Sequence, residues 1–177
     1  MRYFSLLMLL SFFSFSLPAC AQKAMTQKPK TSRLSKKAAV AQARAKAANE
    51  VGPMLTFERT PCFGTCPAYS MKVFADGRVS YEGRRAVPMM GQQELKLPVA
   101  TLVEMLRQAR EAHFDQFQER YSRGTTDLPS MVIGVRQANG QLKTVTVEEG
   151  APDNVKMLVL YLSNQFDTLA QLGSTEK

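Results

Sequence analysis

The chain has 177 residues, a formal charge of +8 and 45% hydrophobic residues, an ordinary globular composition that excludes wholesale disorder. Of its 23 basic and 15 acidic residues, nine basic and one acidic lie within residues 1–50, so the remainder holds fourteen of each and is neutral. That neutral remainder, about 125 residues with room for one core and not two, does not read as a nucleic-acid-binding domain.

Met1-Arg2-Tyr3 is a short basic start, and Phe4 to Leu17 follows as fourteen residues of Leu, Phe, Met and Ser without a charge. A membrane-spanning helix needs about 20 apolar residues, so this run is too short to remain as an anchor. It matches the core of a secretory signal, and residues 1–21 are expected to export the protein to a bacterial periplasm or outer membrane. Two cleavage readings stand. Ala19-Cys20-Ala21 suits ordinary signal peptidase, whereas Leu17-Pro18-Ala19-Cys20 resembles a lipobox in which Cys20 is acylated, although Pro18 is unusual there. With three cysteines in the chain, lipidation of Cys20 leaves Cys62 and Cys66 as a pair and attaches the protein to a membrane.

Residues 22–51 are rich in Lys, Ala, Gln, Ser and Thr and carry almost no large apolar side chain, so they read as a disordered basic tether. Ser35 to Glu50 has helix-forming residues but no apolar stripe to dock.

Residues 52–173 read as a single α+β domain, and 174–177 as a tail. Met54 to Arg59 alternates as a strand. Tyr69–Phe74 and Arg78–Gly83 flank Ala75-Asp76-Gly77, a hairpin signal. A three-residue loop with Gly77 left-handed sets Val73 opposite Val79 and Met71 opposite Tyr81, whereas a two-residue turn mixes core and surface on both faces. The same device at Ala138-Asn139-Gly140 sets Ile133 opposite Val145 and Met131 opposite Val147. Between the hairpins Pro98 opens a helix with the stripe Val99, Leu102, Val103, Leu106 and Ala109. A second helix opens at Pro152-Asp153, runs to about Leu172, and carries Val155, Leu158, Val159, Leu162, Phe166 and Leu169 on one face. The order strands, helix, strands, helix predicts an antiparallel sheet of five or six strands with both helices on one face.

Thr60-Pro61-Cys62-Phe63-Gly64-Thr65-Cys66-Pro67-Ala68-Tyr69 is the segment specified most closely. Gly64 lets the chain double back, and Pro61 and Pro67 fix the backbone on either side. In an oxidising compartment the Cys pair reads first as a structural disulfide closing a tight loop. A redox pair usually has Cys-x-x-Cys at a helix N-terminus; here the spacing is one longer and a strand follows. A zinc site wants four ligands, and His113, the lone histidine, is remote in sequence at a helix end. Glu148-Glu149 reads as a strand end, and no partner for either follows from spacing. No cofactor or metal is expected.

The Thr60–Tyr69 run, Phe74-Ala-Asp-Gly-Arg-Val-Ser-Tyr-Glu-Gly83 and Thr126-Asp-Leu-Pro129 resemble an uncharacterised bacterial family, the domain of unknown function 6438, over about residues 53–170. The resemblance implies a small domain of exported or lipid-anchored proteins and marks Cys62, Cys66 and Tyr69. It brings no activity, substrate or cofactor. Phe63, Gly64, Pro67 and Asp127 stand in the same motifs and are taken with them as candidate binding or structural residues. The resulting expectation is a non-enzymatic envelope domain whose open sheet face or edge strand contacts an envelope protein or peptide. The rival is thiol–disulfide exchange at Cys62 and Cys66.

Overall fold

Leu55 and Phe57 turn one way along the first strand and Thr56 and Glu58 the other, and this alternation organises the molecule. The computed structural model describes residues 32–173; the export segment with Cys20, residues 22–31 and the tail at 174–177 lie outside the described residues. Within the described residues seven strands form one sheet: β1 (Leu55–Arg59), β2 (Ala68–Val73), β3 (Arg78–Arg85), β4 (Gly91–Lys96), β5 (Arg120–Tyr121), β6 (Met131–Arg136) and β7 (Leu142–Val147). Their spatial order is β4-β3-β2-β1-β6-β7-β5.

The expected sheet of five or six antiparallel strands is therefore too small and too uniform. β4 was not foreseen because Gly91-Gln92-Gln93-Glu94-Leu95-Lys96 has one apolar residue and no alternation; its ladder with β3 places it. β5 is two residues long and runs parallel to β7, held by Thr146 N–H donating to the Glu119 carbonyl and Glu148 N–H to that of Tyr121. So short a strand leaves no periodic signal in a sequence.

Both hairpins adopt the expected registers, with Val73 opposite Val79, Met71 opposite Tyr81, Ile133 opposite Val145 and Met131 opposite Val147. Gly77 and Gly140 sit at φ 79° and 83°, the left-handed region that three-residue loops demand.

Among the described residues three α-helices complete the fold: α1 (Ser32–Val51), α2 (Val99–Glu111) and α3 (Asp153–Leu169). The tether, read as disordered over 22–51, is helical from Ser32. Ala, Lys, Arg and Gln are strong helix formers, and the side chains described along α1 are exposed. No helix among the described residues is long and apolar enough to cross a membrane. Helices α2 and α3 pack on the sheet face carrying Leu55, Phe57, Met71, Val79, Tyr81, Ile133 and Val145. Phe57 stacks on Phe166 of α3, ring centroids 4.7 Å apart. Val155, Leu158, Val159, Leu162 and Phe166 of the α3 stripe are buried as expected, and Leu169 is half-buried. The α2 stripe is rotated: Leu102, Met105 and Ala109 are buried, whereas Val99 and Val103 are 49% and 55% exposed. Gln108 and Ala112 at the C-terminal end of α2 and Leu158 and Tyr161 of α3 line one cleft, and α2 turns Met105 inward and Val103 out.

Candidate functional site

Strand β1 runs from the side where α1 joins the sheet toward Arg59, and its continuation, Thr60–Pro67, is the loop that carries Cys62 and Cys66. Thr60 fastens this loop at its root. Its N–H donates to the Ser130 carbonyl at 3.0 Å, and the Ser130 N–H donates to Thr60 Oγ1 at 2.7 Å. The Cys62 and Cys66 sulfurs stand at bonding distance, their Cα atoms 5.6 Å apart. Phe63 projects from the loop with 89% of its surface exposed, while Cys62, Cys66 and Pro67 are half-buried. Gly64 does not need to be glycine on backbone grounds. Its φ lies outside the left-handed region, and an added Cβ would make only an ordinary 3.8 Å contact with Cys62 Sγ. The doubling back comes from the loop as a whole.

Beyond Pro67 the chain enters β2, and Tyr69 turns into the core. Its hydroxyl donates to Asp167 Oδ1 at 2.6 Å, near the end of α3. Asp167 Oδ2 receives Arg59 Nη2, also at 2.6 Å. Arg59 continues the inward face of Leu55 and Phe57, so the strand alternation places a guanidinium where an apolar residue is expected. Burial, then the hydrogen bond to and charge of Asp167, push the Tyr69 phenol well above its ordinary ionisation range. Arg59 and Asp167 were not singled out from sequence. The available signal was that charge at an inward position of β1; its partner, more than a hundred residues away, had none.

The carboxylates left unpaired by spacing find partners here as well. Ser122 and Ser130 hydrogen-bond Glu148, and Arg120 stands 2.7 Å away, which together hold its carboxyl below the ordinary range. The Thr125 hydroxyl and the N–H groups of Thr125 and Arg123 do the same for Glu149. These contacts order the segment leading to the Thr126-Asp127 turn, where Asp127 is exposed with φ 65°. Strand pairing gathers Arg59, Tyr69, Met131 and Val147 at one end of the sheet. Cys62, Phe63, Gly64, Cys66, Pro67, Tyr69 and Asp127 thus all belong to that end or to loops leaving it. His113 does not. It is exposed at φ 57°, joining α2 to a short 3-10 turn at Phe114–Gln116.

The arrangement is built to hold a loop. Among the described residues no group of three His, Cys, Asp or Glu could hold a metal ion. The Cys pair lies between two strands, not at the start of a helix, where a dipole would favour a thiolate. A cleft of about 990 Å³ lies away from the Cys loop beside β7. Both of its cations are engaged: Lys143 donates to the carbonyls of Asp115 and Phe117, and Arg120 pairs with Glu148.

No curated protein matches the chain. Residues 53–166, bounded by the start of β1 and the end of the buried face of α3, match the model of the family described as domain of unknown function (DUF6438), and the chain belongs to that family.

Proposed function

We propose that the chain is an exported, non-catalytic envelope domain in which a Cys62–Cys66 disulfide clasps the β1–β2 connection and offers Phe63 to a partner protein or peptide. The observation that carries this reading is the exposure of Phe63, 89%, on a loop closed by a Cys pair and flanked by prolines. Leaving a Phe in water forgoes roughly 1.5–3 kcal/mol of burial. A loop whose backbone is so constrained presents an aromatic anchor at small entropic cost to a partner that can bury it. The apolar run Phe4–Leu17 and the oxidising compartment it implies support the export half of the reading. Because α1 joins at the opposite end of β1, an anchor at Cys20 would leave the loop directed away from the tether's attachment.

Equilibration of the processed protein in thiol–disulfide buffers tests it. A structural clasp should show a potential below about −300 mV, whereas a value between about −270 and −120 mV, the range of cellular oxidoreductases, would overturn it in favour of exchange chemistry. Closing a loop of this size is worth roughly 2 kcal/mol. Cys62→Ser should therefore lower unfolding stability by about that amount, while Phe63→Ser leaves it unchanged. The intact mass of the processed protein reads out the state of Cys20 directly.

A further inference from the structure

The two edges of the sheet are finished differently. At one, β5 covers the end of β7, and Lys143 ties the preceding segment down through the carbonyls of Asp115 and Phe117. At the other, β4 is a continuous six-residue ladder that, among the described residues, bonds to β3 alone, without a bulge or proline. Natural edges are normally blunted by such devices, because free N–H and C=O groups accept another strand. Helix α1 passes beside Asp76, Arg78 and Lys96, and Gln92, Gln93 and Glu94 remain exposed.

The phase of the ladder shows which groups are free. Leu97 N–H donates to the Gly77 carbonyl at 2.8 Å. Hydrogen-bonded and non-bonded pairs alternate in an antiparallel ladder, so Gly91, Gln93 and Leu95 bond to β3. The backbone groups of Gln92, Glu94 and Lys96 therefore point outward.

We propose that β4 pairs antiparallel with β4 of a second copy of this chain, about a two-fold axis passing through Gln93. Such an axis, normal to the sheet, keeps the helix-bearing faces on one side. Opposed residues must then lie on the same face, which leaves two central registers. One sets Glu94 opposite Glu94 of the second copy, like charge against like. The other sets Gln93 opposite itself and Gln92 opposite Glu94 twice, an amide donor beside each carboxylate. It also makes Gln92 and Glu94 the hydrogen-bonded pairs, which their outward backbone groups require. Gly91 then offers no side chain against Leu95 of the second copy. The sequence Gly-Gln-Gln-Glu-Leu is complementary to itself in this register, and two sheets of seven strands become one. A contact of one strand sits at the small end of interface sizes, below about 1,200 Å², so the dimer is concentration-dependent.

Cross-linking of the processed chain tests the register. At Gln93 the two copies form a non-bonded pair, with Cα atoms about 4.5 Å apart, within the disulfide range. Gln93→Cys should give a linked dimer under mild oxidation while the unsubstituted chain and Glu94→Cys do not. Linkage of Glu94→Cys, or of neither variant, overturns the proposal. Glu94→Pro supplies a second arm, because it removes an outward N–H that β3 does not use. Sedimentation at rising concentration should show the unsubstituted chain moving toward dimer mass and Glu94→Pro, with an unchanged melting temperature, remaining monomeric. Equal masses for the two would also overturn it.

Discussion

Asp167 accepts from two donors at once, and each donor would be poorly placed without it. Arg59 brings a cation to the inward face of β1, with its Nε buried and unpaired, and Tyr69 brings a hydroxyl into the core. The carboxylate answers both, tying the strand on each side of the Cys loop to the end of α3. An unfolded tyrosine ionises near pH 10, while burial and Asp167 keep the folded Tyr69 protonated beyond that. Its folded value is thus raised, so the linked stability is fully present below about pH 10 and is lost as the unfolded state sheds its proton at higher pH. Tyr69→Phe should cost about 1–2 kcal/mol at neutral pH by removing one donor from Asp167. It should also flatten the decline in urea-unfolding stability above about pH 10. An unchanged decline would mean that Tyr69 is not the group responsible.

The two hairpins looked alike as elements and are not equivalent. Both turn through a left-handed glycine, and both registers follow from matching core to core across the strands. A Cβ at Gly140 would meet nothing within 4 Å, whereas at Gly77 it would stand 2.4 Å from the Leu97 carbonyl oxygen. Gly140→Ala should therefore cost only the left-handed penalty, about 1–2 kcal/mol. Gly77→Ala should cost clearly more, because the β4–α2 junction must shift as well. Equal losses in thermal unfolding would show that the junction yields freely. The hairpins were legible because strand period and turn chemistry agree locally. Helix α2 was half legible: its length and start were visible, but which flank is buried depends on where α3 lies.

For the whole molecule, the neutral domain and the basic N-terminal part divide at Gly52. None of the α1 side chains described is buried, so α1 lends the domain little packing. A chain beginning at Gly52 should melt within about 2 °C of the full chain, a change worth less than 1 kcal/mol. A larger fall would place α1 in the folded unit. Read alone, the sequence shows where charge and core separate, the two hairpin registers and most of the inward face of α3, because each follows from local periodicity or from counting; it also places Cys62 and Cys66 four positions apart, near enough to meet. The polar edge strand β4, the parallel β5, the buried flank of α2 and the Arg59–Asp167–Tyr69 cluster emerge only when the chain is folded. These depend on contacts between residues far apart in the chain, and a charge or a glutamine carries no mark of the partner that a distant element will bring to it.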